Sequence, residues 1–458
     1  MKVLLLNPPG SETYIRDYFC SKTTKSNYLF HPIDLLALSG TLASRHEIRV
    51  IDAIAERLPP SRTHGRIDSL APDVIVSLVG SVSWPEDRDF LAEESRRGRR
   101  VLAIGDILQE ASEQRLAEEP WLEAVLHDFT NADVLAYLDG ELSGLLEMTI
   151  RRADGSPTRI RRGARTGEYR IPRPRHELFP HAGYRFSFAR EEPFATVLTD
   201  YGCPYPCTFC VIGTLGFKTR PVEDALEEID ELRSRGVREI FFVDQTFGIR
   251  RERALRLCAA LEERRDLSWT AFTRPDTADE GLLEAMANAG CHTVILGIES
   301  ADDGRLARYR KGYRVDDVRA GVARARRAGL RTVGTFIVGL PEDTEESLRE
   351  TLDLAIDLEL DFMSLNMAVP RFSTPFRAHA LELGLARADD LVMDQGGANA
   401  FLPTAALDRS RMLALKKSMV RRFYARPAWI ARRIAGVRSA GELARQAREG
   451  FALFARNL

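Results

Sequence analysis

Three of the six cysteines fall within eight residues, at Cys203, Cys207 and Cys210 of the stretch DYGCPYPCTFCVIG (200–213). Their spacing is C-x3-C-x2-C. Gly202, Pro204 and Pro206 rule out a regular helix, so the thiols sit on a loop that can wrap one inorganic cluster or metal ion. A structural zinc site would close its tetrahedron with a fourth Cys or His, commonly in a second short-spaced pair, and no such pair follows. The spacing therefore points to a centre with an open coordination position; three clustered core cysteines are the reading without chemistry. Disulfides are disfavoured in a long, charged chain without a secretory signal. Cys20, Cys258 and Cys291 have no paired spacing, and the last two read as small buried hydrophobes.

The elements that must hold this loop alternate strand and helix. FATVLTDYG leads into the cysteines and VEDALEEIDELRSRG (222–236) is an amphipathic helix. REIFFVDQTF (238–247), SWTAFTRPD (268–276), HTVILGIES (292–300), LRTVGTFIVGLP (330–341) and FMSLNMAVP (362–370) continue the strands. Six such units over residues 194–376 predict a partial (β/α)6 version of the parallel barrel, with its active site at the carboxyl ends of the strands. Asp244 at one of those ends could bind substrate or take a proton. Arg274 could hold a carboxylate bidentately or pair with Asp276. Tyr205, Asn366 and Arg371 are candidate substrate contacts, with packing or helix capping as the alternative.

Before the barrel, residues 1–147 show the same alternation. VLLLN (3–7), EIRVIDA (47–53), DVIVSLVG (73–80), RRVLAIG (99–105) and AVLHDF (124–129) are separated by helical stretches such as DLLALSGTLASR. This predicts a Rossmann-like open α/β sheet. Its ligand would lie near Asn7 to Gly10, Asp52, Gly80 and Gly105. No G-x-G-x-x-G follows the first strand, so a dinucleotide is not indicated. Residues 148–193 are Arg-rich, with a hairpin turn expected at Asp154-Gly155 and an extended linker after it. Residues 377–458 read as Arg- and Ala-rich helices packed under the barrel, with a membrane-surface or partner helix as the alternative.

A composition of 44% hydrophobic and 29% charged residues and a net charge of −2 describe an ordinary globular chain. The basic excess of a nucleic-acid binder is missing. The amino-terminal apolar run is too short for a signal peptide, and nothing approaches a membrane span. We expect a cytoplasmic protein without nucleic-acid or membrane partners.

The cysteine spacing, with Phe209 just before the last thiol, resembles the cluster loop of the radical S-adenosylmethionine (SAM) superfamily. The resemblance implies that Cys203, Cys207 and Cys210 hold a [4Fe–4S] cluster whose remaining iron takes SAM. It places Glu299 and Ser300, in a Gly-x-Glu-Ser, against the ribose or methionyl part, and Lys311 in RYRKG nearby. Ile337 and Gly339, in an I-x-G-x-x-E, would meet adenine. Gln245 stands where relatives carry Gly-Gly-Glu and is a hydrogen-bonding candidate, and Arg274 joins this cofactor-binding set. The preceding domain resembles that of the cobalamin-binding (B12-type) subgroup through LLLNPP, His31-Pro32 to Gly40 and PDVIVSLVG. PRFSTPF (370–376) is similar to a segment of the same subgroup. Gly105-Asp106 and His127-Asp128-Phe129 replace glycine-rich turns of that subgroup, and D-x-H-x-x-G is missing. These departures suggest a domain that has lost its cobalamin and leave the cofactor open.

The resemblance implies reductive cleavage of SAM, with electrons from a flavodoxin or ferredoxin, and hydrogen abstraction from a small natural-product substrate. Without cobalamin the expected outcome is dehydration of an aminosugar diol, with Asp244 as acid, because the chain resembles the aminoglycoside-pathway dehydratases that act on paromamine. With cobalamin, C-methylation is expected. A non-catalytic iron–sulfur regulatory module is the alternative of another class.

Overall fold

The apolar runs of the amino-terminal part become parallel strands because both of their faces find cover. In the computed structural model, which describes residues 1–397, 402–436 and 440–457, they are Lys2–Asn7, Glu47–Asp52, Val74–Val79, Arg100–Gly105 and Ala124–Leu126. Numbered along the chain, they lie in the order 2-1-3-4-5. Leu4, Leu6 and Ile75 point into one core, and Val3, Leu5 and Val76 into another. The winding reverses between the first and third strands, and that reversal defines the crevice where a ligand of such a sheet binds.

The hairpin turn forms at Asp154-Gly155, with Gly155 at φ 82°. Its strands, Met148–Arg151 and Pro157–Arg159, add antiparallel to the same sheet. The sheet thus continues past the boundary expected at residue 147.

The second sheet holds six parallel strands in sequence order: Phe194–Val197, Glu239–Phe242, Ser268–Thr273, Cys291–Glu299, Arg331–Val338 and Phe362–Met367. Helices Val222–Ser234, Arg251–Glu262, Glu280–Asn288, Val315–Arg327 and Glu345–Asp357 connect them. This is the open (β/α)6 barrel. Strands Asp200–Gly202, Phe217–Thr219 and Thr166–Glu168 form a small sheet at the base of the cysteine loop. Gly202, at φ 78°, is required there, since a Cβ would lie 1.9 Å from the Gly216 carbonyl oxygen.

One stretch without helical or strand period proves central. Residues 11–30 form a two-residue ladder, Tyr14–Ile15 with Lys22–Thr23, and a single bridge from Leu29 to Arg185, yet they lie between the two sheets. The Ser21 hydroxyl donates to Asp106 of the first domain, and the Gly202 amide donates to the Tyr18 hydroxyl from the cysteine loop. At the other end of the chain, Arg409–Tyr424 packs on the sixth barrel strand, where the Tyr424 hydroxyl donates to the Met363 carbonyl at 2.8 Å. Among the described residues no helix is long and apolar enough to cross a membrane.

Candidate active site

A cavity of about 910 Å³ opens at the carboxyl ends of the barrel strands, as the parallel topology requires. Cys203, Cys207 and Cys210 line it, each half-buried. Burial raises the Cys203 thiol and pushes Cys210 up to about 12. Among the described residues no three Cys, His, Asp or Glu side chains converge on the spacing of a single ion. Three closely spaced thiols along one cavity wall, with Cys20 on the same wall, suit a cluster rather than a lone tetrahedral metal. Arg274 supplies positive charge beside them, with Nη1 4.0 Å from Cys207 Sγ.

Of the two roles weighed for Arg274, the structure shows the pair with Asp276. Its guanidinium pairs bidentately with Asp276 at 2.9 and 2.8 Å, donates to the Lys311 carbonyl, and stacks 3.7 Å from the Tyr205 ring centroid. Glu299 ends its strand with φ 67°, a conformation costly for a residue with a side chain and common at ligand sites. Its carboxylate accepts from Lys311 Nζ at 2.9 Å. Burial alone would lower Lys311, but Glu299 holds it well above the usual lysine range. Gln245, Phe209 and Ile337 also reach the cavity, as do Tyr205, Asn366 and Arg371. These residues suit the ammonium, carboxylate and ribose groups of SAM.

Three expected site residues lie elsewhere. Asp244 is fully buried behind the cysteine loop, where it accepts the Thr199 amide at 2.6 Å, the Asp200 amide at 2.9 Å and the Thr199 hydroxyl. The strand ends at Phe242, and the chain turns Asp244 away from the cavity. It fastens the base of the loop, so its expected role as an acid is corrected. The Ser300 hydroxyl accepts the amide of Asp302, the residue that caps the next helix, at 3.1 Å. Gly339, at φ 85°, donates its amide to Asp343 at 2.8 Å, behind the cavity wall.

The residues that sequence reasoning missed come from the 11–30 segment and the carboxyl-terminal helices. Glu12, Asp17, Cys20, Lys22 and Lys25 line the cavity, joined by Lys416 and by Glu449, which accepts from Ser26 of the same segment. Lys25 Nζ donates to Asn366 Oδ1 at 2.5 Å and Ser364 Oγ at 2.9 Å. Burial, then Lys416 and Lys22, push Lys25 well below the usual lysine range, and burial lowers Lys416 to about 8. No local motif announces KTTKS as part of a site.

The same segment bears on cobalamin, because it and neighbouring side chains contact most of the positions expected to meet a ligand on the first sheet. Arg16 fills the crevice, donating to Asn7 Oδ1 and the Pro8 carbonyl at 2.9 Å each. A Cβ at Gly10 would lie 2.5 Å from the Tyr14 ring, and one at Gly80 2.8 Å from Ser21 Cβ. Asp52 accepts from Asn7 and Tyr184, and Asp106 from Ser21 and the Ser81 amide. Arg371 Nη1 lies 3.6 Å from Asp106, joining barrel to domain directly. Side chains of this chain therefore lie where a corrinoid would meet these strand ends.

Comparison with known proteins agrees with this architecture. The Radical SAM superfamily profile matches residues 197–355. An uncharacterized methyltransferase of Pyrococcus horikoshii is 30% identical over 395 residues, 83% of each chain. The structure of the radical SAM methyltransferase TsrM from Kitasatospora setae, with cobalamin and a [4Fe–4S] cluster bound, aligns with a TM-score of 0.71 at 17% identity over 99% of each chain. The cobalamin-dependent SAM radical enzyme OxsB aligns with a TM-score of 0.70 at 15% identity, covering 99% of this chain and 72% of that one. With its cluster loop, its partial barrel and its 2-1-3-4-5 sheet, the chain belongs to the radical SAM superfamily and has the fold of the B12-type subgroup.

Proposed function

We propose that this is a cobalamin-independent radical SAM enzyme that dehydrates a small polar substrate of the aminosugar diol type. The single observation that carries the reading is that Arg16, Tyr14 and Ser21 of this chain lie in the crevice where such a sheet would meet a methyl-carrying corrinoid. When bound, the cluster and SAM supply the hydrogen-abstracting radical. The chain's own residues do the rest. Arg274 sets positive charge beside Cys207, Lys311 and Glu299 orient the cofactor, and the 11–30 segment with the carboxyl-terminal helices walls the cavity from water. A cavity edged by both carboxylates (Glu12, Asp17, Glu449) and lysines suits a substrate carrying amines and hydroxyls. After water is lost, the substrate radical takes one electron and one proton, the electron coming from a flavodoxin- or ferredoxin-type donor.

A second reading, methyl transfer to carbon, is supported by the name of the Pyrococcus horikoshii relative. One experiment separates the two. Protein purified without oxygen from cobalamin-supplied cells is examined by visible spectroscopy, then incubated with SAM, a reductant and aminosugar diols. Cluster absorption without cobalamin, with 5′-deoxyadenosine and a product lighter by one water, is the expected result. Stoichiometric cobalamin would transfer the proposal to methylation.

A further inference from the structure

Dehydration of a diol radical needs a group that moves a proton, and the residue first suited to it, Asp244, faces away from the cavity. The cavity wall carries several titratable groups, Asp17, Lys22 and Lys416 among them. Glu299 and Lys311 neutralise each other, Arg274 is held by Asp276, and guanidinium groups do not give up protons at working pH. Lys25 is different. It enters from the segment between the domains, and its amine is fixed by Asn366 Oδ1 and Ser364 Oγ on the sixth strand. Asn366 pairs in register with Ile337 on the neighbouring strand, and Glu299 is near enough for its charge to act on Lys25. The amine therefore lies on the cavity wall, held against the sixth strand.

We propose that Lys25 is the proton-transfer group of the reaction, its amine taking the hydroxyl proton of the substrate radical and returning it to the departing oxygen. The step balances without a further reagent. Loss of the O–H proton to the amine lets the C=O bond form at the radical carbon, while the neighbouring C–O bond breaks with its electron pair passing to oxygen. The Lys25 ammonium protonates that oxygen, giving water, a carbonyl-stabilised radical and the neutral amine again. The surroundings favour a neutral resting amine. Burial disfavours the charge, Lys416 and Lys22 repel it, and Asp394 and Glu299 are the opposing anions.

The inference rests on the dehydration reading, so its test has a part independent of turnover. Competitive acetylation of the full-length protein across pH, read by mass spectrometry, reports the titration of Lys25. The expected midpoint lies below that of the same lysine in the denatured chain and rises in Lys416→Met, which removes a repelling charge. A midpoint equal to that of the denatured chain overturns the proposal. In turnover assays Lys25→Met and Lys25→Arg should still form 5′-deoxyadenosine, while dehydrated product falls roughly 10²- to 10⁴-fold, the usual span for a lost acid–base group. Lys25→Cys alkylated with bromoethylamine should recover product, and wild-type product from Lys25→Arg would show a charge contact only and overturn the role. Intact cluster absorption in Lys25→Arg controls for folding. If no diol turns over even in the wild type, the dehydration reading fails while the acetylation result still stands.

Discussion

Arg16 Nη2 lies 2.7 Å from Asp87 Oδ1, and neither side chain is exposed to solvent. The pair spans the crevice between the first and third strands, where sheets of this order hold their ligands. Removing one partner leaves an uncompensated buried charge. Arg16→Ala should therefore lose about 3–5 kcal/mol of stability. The double variant Arg16→Met, Asp87→Asn should lose much less, which denaturant titration of the three proteins will measure. Equal losses in both would mean that the pair acts mainly by filling space.

The cysteine loop carries the most direct functional prediction. Cys203→Ala, Cys207→Ala and Cys210→Ala should each lose the broad iron–sulfur absorption and the reductive cleavage of SAM, because three ligands leave no redundancy. Circular dichroism should remain that of the wild type, since the thiols are only half-buried. 5′-Deoxyadenosine from any single variant at the wild-type rate would contradict the ligand assignment.

Asp244 should behave as a fastener. Asp244→Asn keeps one acceptor for the Thr199 and Asp200 amides and weakens the rest, at a cost of about 1–3 kcal/mol. Iron content per chain should fall, while 5′-deoxyadenosine formed per assembled cluster stays constant. Full iron with abolished dehydration would return Asp244 to the chemistry.

Stability should depend on pH through Asp34, whose buried carboxyl accepts the Tyr18 amide. Burial, reinforced by Asp17, pushes it up to about 8, against roughly 4 in an unfolded chain. The folded state therefore holds the proton more tightly, and this contribution is complete below pH ~4 and lost as pH rises to about 8. Asp34→Asn, which cannot ionise, should gain melting temperature over the wild type progressively from pH 5 to 8 and no further above that. A constant difference across the range would sink the assignment.

Much of this architecture was legible because strand–helix alternation is written locally. The runs around Leu4, Val76 and Leu102 are apolar on both faces, which parallel strands require. The cysteine loop was legible for the same reason, its ligands and helix breakers all lying within one stretch. What escaped was whatever depends on distant partners. Residues 11–30 carry no period, and their position is fixed by bonds such as Lys25 to Asn366, 341 residues apart. Asp244 misled because strand ends usually face the cavity, whereas two backbone amides on the preceding strand turn draw its carboxylate back. Gly105-Asp106 was read as a departure from a ligand-binding turn; in the folded chain Asp106 meets Ser21 and Ser81.

A binding domain that waits for its ligand gains stability in proportion to the logarithm of ligand supply, and its population of folded molecules follows that supply. Here the occupant of the crevice is covalently part of the chain, through Tyr14, Arg16 and Ser21. Its concentration is set by tethering and cannot be diluted. The contacts these three residues make in the crevice are then formed to the same extent whatever the supply of an external ligand.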